Sequence, residues 1–148
     1  MSDSYLKIIS TNPDYSPSLA NQNSMKLLLS KHYPSGKIEV VITDSVEFID
    51  QGGNFESVKC NFCQRELETT KWQEFMDKAY EKHFNDLTFI TPCCHKMSSL
   101  NDLHYDMPAG FAKFSILITG ASEDPTQEEL SRLEKIMETK LRLIWAHY

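Results

Sequence analysis

The chain has 148 residues, of which 41% are hydrophobic, and this composition suits a single domain, residues 1–148, with a buried core. Such a core makes disulfide bonds unnecessary for folding, so the four cysteines need another explanation. The formal net charge of −6 argues against a general nucleic-acid-binding protein, because phosphate binding requires clustered Lys and Arg side chains.

The N-terminal sequence, MSDSYLKII, lacks the basic segment and the long apolar segment of a secretory signal peptide. The apolar runs elsewhere are too short to cross a membrane, so no membrane partner is expected. We therefore expect a cytoplasmic protein. Thiols stay reduced in that compartment, where clustered cysteines more often bind metal or carry out redox chemistry.

The outer parts of the sequence predict two β-α-β units. Runs of β-branched and aromatic residues with alternating apolar side chains predict the strands, and 3.6-residue apolar periodicity that starts near Ser-Pro or Asp-Pro predicts the helices. The strands are expected at residues 5–10, 37–43, 111–119 and 141–146, and the helices at residues 17–32 and 126–139. This order is typical of an α+β fold, a ferredoxin-like split βαβ sandwich, in which both helices cover one face of a single antiparallel sheet.

An interruption at residues 50–107 separates the two units and carries all four cysteines. Within it, residues 70–83 have the apolar spacing of a helix, with Thr70 and Gln73 placed to form a capping box. Residues 87–91 predict a short strand that leads into the second cysteine pair. We interpret this segment as a zinc-ribbon-like insert between the second and third strands of the sheet.

The cysteines form two clusters with 29 residues between them. Cys60 and Cys63 have C-x-x-C spacing, and Cys93 and Cys94 are adjacent in the segment TPCCHK. Two such clusters can place four thiolates around one Zn²⁺ ion, which makes Zn²⁺ the expected cofactor. Neighbouring residues of a strand point to opposite sides, so both members of the second pair can bind one ion only if the backbone turns there.

His95 leaves the ligand set open. A set of Cys60, Cys63, one of the adjacent cysteines and His95 is an alternative to four cysteines, and the absence of any metal is a third possibility. The C-x-x-C pair also has the spacing of a thioredoxin-type redox motif. That motif opens a helix directly after a strand, whereas here several residues separate Cys63 from the predicted helix.

The polar loop that follows the second pair, residues 99–110, is a further candidate for recognition. Asp102, His104 and Tyr105 lie there between apolar anchors, although such segments are most often connecting turns. A nucleic-acid-binding zinc ribbon would instead use cations near the cysteines, together with an exposed aromatic side chain such as Phe62. The cations available for such a patch are Lys59, Arg65, Lys71 and Lys96.

The segments GNFESVKCNFC and TPCCHKMSSLNDLHYDMPAGFAKF resemble those of small uncharacterised bacterial proteins, over about residues 52–114. The resemblance implies a bacterial, cytoplasmic protein with a zinc-ribbon-like element, and it brings no known activity. In those proteins a small residue follows TPCC, whereas this chain has His95. The resemblance therefore does not imply that His95 is a required ligand.

No phosphate-binding loop, nucleophile elbow or metalloprotease motif is present, so no catalytic residue is predicted. A closed four-thiolate site has no open position for a substrate. The sequence therefore favours a non-catalytic zinc-binding protein that acts through protein–protein interaction. The alternatives are a nucleic-acid-binding zinc ribbon, which the acidic charge makes less favourable, and a thiol-redox enzyme.

Overall fold

The computed structural model describes residues 4–148, and this part of the chain contains three helices, one four-stranded sheet and two small two-stranded sheets. In chain order the elements are β1 (Ser4–Ser10), α1 (Leu19–His32), β2 (Lys37–Ile49), β3 (Val58–Lys59), α2 (Thr69–Glu81), β4 (Thr88–Ile90), β5 (Met97–Ser99), β6 (His104–Tyr105), β7 (Gly110–Thr119), α3 (Gln127–Met137) and β8 (Leu141–His147).

The main sheet has the strand order β2-β7-β1-β8, and every neighbouring pair is antiparallel. The central strand β1 places Ile8 opposite Ile116 on β7 and opposite Leu143 on β8. The prediction that four outer strands form one antiparallel sheet is confirmed. The second strand was expected to end at residue 43. Its register with β7 is irregular between Ile42 and Glu47, but β2 continues through this irregularity to residue 49.

One face of this sheet holds the larger part of the sheet's core. Alternate residues of β1 and β7 point to this face, and both α1 and α3 pack onto it, because their buried side chains belong to the same cluster. The fully buried members include Leu6, Ile8, Met25, Phe114, Ile116, Ile118 and Met137. The expectation that both outer helices lie on the same face is therefore confirmed.

The chain between β2 and β7 forms the insert, and its core is continuous with the sheet. Trp72 and Met76 of α2 belong to one buried cluster with Tyr105 of β6. Val46 of β2 and Phe111 of β7 belong to the same cluster. The insert is thus anchored on the ends of the two strands that it connects.

The helix boundaries differ from the predicted ones by one or two residues. α1 begins after Ser18, whose Oγ accepts a hydrogen bond from the backbone N–H of Asn21, and not at the preceding Ser-Pro pair. The expected capping box at α2 is wrong, because its N-cap residue is Glu68 and makes no side-chain capping bond. The Gln73 side chain instead donates to Asp77 within the helix.

Candidate metal centre

The first cysteine pair lies in a tight turn at the tip of a short hairpin. The two sides of the hairpin are joined by the backbone hydrogen bond from Leu67 N–H to the carbonyl of Val58, at 2.8 Å. Within the turn, Cys60 N–H donates to the carbonyl of Arg65 at 2.9 Å, and Gln64 N–H donates to the carbonyl of Cys60 at 3.0 Å. The turn spans six residues and presents both sulfurs at the tip.

The second pair lies in a turn with the same hydrogen-bond pattern, between β4 and β5. Thr91 N–H donates to the carbonyl of Lys96 at 2.9 Å, and His95 N–H donates to the carbonyl of Thr91 at 2.9 Å. The backbone turn that two adjacent cysteine ligands require is therefore present at Cys93 and Cys94.

The matching hydrogen-bond patterns of the two turns account for the unusual spacing of the second pair. Cys63 and Cys94 occupy the fourth position of their respective six-residue turns. The first position is Cys60 in one turn and Thr91 in the other. Thr91 is buried, and its Oγ1 accepts a hydrogen bond from the Lys96 N–H at 3.2 Å. Cys93 takes the third position, so the second turn supplies two sulfurs although a threonine stands where its first cysteine would be.

The four sulfurs converge on one point. All four Sγ atoms lie within 4.8 Å of one another. The Cys60 and Cys94 sulfurs are 4.0 Å apart, and those of Cys63 and Cys93 are 3.4 Å apart. A tetrahedral Zn²⁺ site with bond lengths of about 2.3 Å places its sulfurs about 3.8 Å apart, so these separations suit such an ion.

His95 is not part of this group. Among the residues that the structure describes, the metal-competent cluster at the turns contains only the four cysteines. The side chain of His95 is exposed, and its backbone φ is 55°, at the fifth position of the turn. Gln64 occupies the fifth position of the first turn with a φ of 63°, so both turns place a residue in the left-handed region there.

The thiols differ in their pKa values when no metal ion is bound. The backbone N–H of Arg65, and next the thiol of Cys94, lower the pKa of Cys63 to about 7. The hydrogen bond to Cys63, and next burial, raise the pKa of Cys94 to about 12, and burial raises the pKa of Cys93. Cys63 therefore forms a thiolate more readily than Cys93 or Cys94, and a cation bound at neutral pH must displace protons from Cys93 and Cys94.

Side chains beside the cysteines link the two turns. Ser98 Oγ donates to Asn61 Oδ1 at 2.7 Å, and Lys96 Nζ lies 5.3 Å from the centre of the Phe62 ring. The backbone N–H of Phe62 also points to the Cys60 sulfur, at 3.4 Å. Sequence reasoning missed the Asn61–Ser98 pair, because no spacing signal connects residues 37 positions apart.

The cations predicted for a nucleic-acid patch are partly neutralised. Lys59 pairs with Asp106 at 3.6 Å, and Lys71 pairs with Glu74 at 3.7 Å. Carboxylates therefore accompany two of the four cations, which weakens the attraction of this surface for phosphates.

The loop at residues 99–110 contains both buried and exposed polar side chains. Asp102 and His104 are exposed, as a recognition role requires. Tyr105 is buried; its hydroxyl donates to the carbonyl of Leu100 at 2.6 Å and accepts from Trp72 Nε1 at 3.3 Å. The expectation that Tyr105 is a contact residue is therefore wrong, because this side chain belongs to the core of the insert.

Comparisons with protein-family models, curated proteins and solved structures found no match to this chain. None of the helices in the described region has the length and apolar character needed to cross a membrane.

Proposed function

We propose that the protein binds one Zn²⁺ ion through Cys60, Cys63, Cys93 and Cys94 and acts, without catalysis, by binding another protein. The observation that carries the proposal is the convergence of four sulfurs from two matching turns. Four thiolates in tetrahedral arrangement select Zn²⁺ or iron among the common metals. A site closed by four sulfurs has no open position for water, so the ion would stabilise the fold.

Two finer assignments of the fold belong to this proposal. The paired turns at the tips of short hairpins support a zinc-ribbon-like insert. The strand order β2-β7-β1-β8, with α1 and α3 on one face, supports a ferredoxin-like split βαβ sandwich for the rest of the chain. The four free thiols suit a reducing compartment such as the bacterial cytoplasm.

The interaction surface is placed on the insert because apolar side chains are exposed beside the proposed metal centre. Ile90 and Met97 stand directly opposite each other on β4 and β5, and they are 51% and 63% exposed. Phe62, on the neighbouring turn, is also exposed. Exposed apolar side chains that adjoin one another are typical of protein contact sites, and the metal would hold this hairpin rigid.

The metal half of the proposal is tested by elemental analysis of the purified protein. We expect about one zinc and no iron per chain, and loss of zinc in the Cys60→Ser and Cys63→Ser variants. Chelation should increase hydrogen exchange at the turn amides of Cys60 and Thr91, while the amides of β1 and β7 stay protected. Full zinc-free folding with four freely reactive thiols would contradict the proposal.

The interaction half is tested by affinity capture from a lysate of the source organism. A partner captured by the zinc-loaded protein should be lost with the Ile90→Ser/Met97→Ser variant. It should be retained with Leu27→Ser, which alters a 68% exposed side chain on α1. Salt-sensitive capture of nucleic acid, or turnover that requires a cysteine in the fully folded protein, would instead favour one of the two alternatives.

A further inference from the structure

A pocket of about 260 Å³ opens beside the loop at residues 99–110, on the side of the insert that contacts β8. We call it the Arg142 pocket. It is lined by Leu103, His104, Tyr105, Pro108, Ala109 and Arg142. Arg142 comes from the main sheet, where it lies opposite Ile9, and the others come from the insert and its end. The pocket therefore lies between the main sheet and the insert, with one guanidinium group in its wall.

Neutral oxygen atoms hold this guanidinium in place. Arg142 Nη1 donates to the Asn101 carbonyl at 3.2 Å, to Asn101 Oδ1 at 3.2 Å and to the Ala109 carbonyl at 3.0 Å. Asn101 is itself fixed, because it is only 5% exposed, its Oδ1 accepts from Phe111 N–H and its Nδ2 donates to the carbonyl of Thr11. The orientation of the guanidinium is thus set before any ligand binds.

Gly110 provides the space that this arrangement needs. A Cβ atom at Gly110 would lie 2.7 Å from Arg142 Nη1 and 2.7 Å from Ile9 Cδ1, which is too close for either contact. The Pro-Ala-Gly segment therefore supplies one of the acceptor carbonyls and leaves room for the charged group.

The charge of Arg142 has no close counter-ion. Within residues 4–148, no carboxylate oxygen lies within 4.0 Å of its guanidinium, and only Nη1 donates hydrogen bonds. Arg132, by contrast, pairs with Glu128 at 2.8 Å on the surface of α3. Burial lowers the pKa of Arg142, and the more distant charge of Asp102 partly opposes this effect. A partly buried cation that only neutral groups contact is stabilised when an anion joins it.

We propose that the Arg142 pocket is a binding site for a carboxylate group, which the free Nε and Nη2 donors of Arg142 would bind. A guanidinium presents paired N–H groups that match the two oxygens of a carboxylate. His104 adds a ring N–H donor at the exposed rim. One cation lines the pocket, which matches a carboxylate better than a phosphate with close to two negative charges.

The overall charge of −6 does not prevent this binding, because charges farther than about 8 Å away are largely screened at physiological ionic strength. The carboxylate could belong to an acidic side chain or to the C-terminus of a peptide, and the test separates these sources. The inference stands independently of the zinc proposal, since no cysteine lines the pocket.

The test is an NMR titration of the purified full chain with small probes. N-acetylglycine offers a terminal carboxylate, N-acetylaspartate amide offers a side-chain carboxylate, N-acetylglycinamide is the neutral control, and inorganic phosphate is the competing anion. We expect saturable shifts at the amides of Tyr105 and Gly110 and at Arg142 Nε–H, with dissociation constants of about 1 mM for ligands of this size. The neutral amide should produce no saturable shift.

Two variants make the result specific. Arg142→Gln keeps an amide donor for the carbonyls but removes the charge, so carboxylate binding should weaken at least about tenfold. Its matched control, Arg132→Gln, should bind as the wild type does. His104→Glu places a competing carboxylate at the exposed rim and should also weaken binding, without changing the thermal unfolding temperature.

Three results would overturn the proposal: no saturable carboxylate binding to the wild type, unchanged binding in His104→Glu, or tighter binding of phosphate than of both carboxylates. If Arg142→Gln fails to fold, His104→Glu decides alone. Zinc content and partner capture are measured separately, so failure of this proposal leaves the proposed function untouched, and the reverse also holds.

Discussion

His95 occupies a backbone position that suits glycine better than histidine. Its φ of 55° lies in the left-handed region, which costs a residue with a Cβ atom about 1–2 kcal/mol. His95 is nevertheless tolerated at this position, because its side chain is exposed to solvent.

Replacing His95 by Gly should consequently stabilise the protein. The relief of the left-handed conformation outweighs the larger entropy of glycine in the unfolded chain, for a gain of up to about 1 kcal/mol. Thermal unfolding should occur about 2–4 °C higher, with unchanged zinc content. His104→Gly, in β6, serves as the control and should destabilise the protein. Loss of zinc in His95→Gly would show instead that His95 is a ligand.

The affinity for zinc should rise steeply with pH. The raised pKa values of Cys93 and Cys94 mean that at least two protons leave when the ion binds at neutral pH. The apparent affinity should therefore fall at least about 100-fold for each unit by which the pH is lowered. Below pH 7 the fall becomes steeper, since Cys63 then also carries a proton.

Chelator competition at pH 6.5, 7.5 and 8.5, together with proton release measured in a weak buffer, checks this prediction. An affinity that does not depend on pH would mean that the thiols are already ionised before the ion binds.

At the scale of elements, α2 has one aromatic residue buried in the core of the insert and another exposed on the surface of the insert. Trp72 packs against Phe48 and Phe55 with ring centres 5.9 Å and 5.4 Å away, and it donates to Tyr105. Tyr80 has the same helical periodicity in sequence but is 67% exposed. The apolar spacing of residues 70–83 thus coincides with burial at Trp72 but not at Tyr80.

Truncation of these two side chains should have very different effects. Trp72→Ala removes a large buried ring and should destabilise the protein by about 3–5 kcal/mol, whereas Tyr80→Ala should cost less than about 1 kcal/mol. Urea unfolding, followed by far-ultraviolet circular dichroism, measures both. Equal effects of the two substitutions would mean that the insert core is not packed around Trp72.

At the scale of the whole molecule, Asn101 links the insert to the sheet. Its side chain bonds to Thr11 after β1, to Phe111 in β7 and to Arg142 in β8. Asn101→Ala removes these bonds and leaves the buried N–H of Phe111 unsatisfied, so the free energy of unfolding should fall by about 2–4 kcal/mol. The exposed Asn85→Ala variant should change it by less than about 0.5 kcal/mol.

Denaturant titration of both variants measures this difference. If Asn101→Ala unfolds in two separate transitions, the insert and the sheet are held together mainly by this residue. If its stability equals that of the wild type, the packing of Phe111 and Val46 is sufficient to join them.

The sequence by itself determined the order of the outer strands and helices along the chain. It also identified the four cysteines as candidate metal ligands. Periodicity and turn residues are local properties, so the outer strands and helices could be predicted to within two residues, except that β2 continues to residue 49 and not 43. The cysteines could be selected because thiolates are rare and chemically distinctive ligands. Local signals were weaker at the short strands beside the second cysteine pair and at the N-termini of α1 and α2. The start of α1 is fixed by a side-chain hydrogen bond at Ser18, whereas the N-cap residue of α2 makes no such bond.

Only the tertiary structure decided which groups meet. It paired the two turns, placed Thr91 at the turn position that corresponds to Cys60, excluded His95 from the sulfur cluster and buried Tyr105. It also brought Arg142 beside Asn101, 41 positions away in sequence. Such contacts depend on strand register and on competition for space in the core, and neither is encoded in the spacing of any single motif.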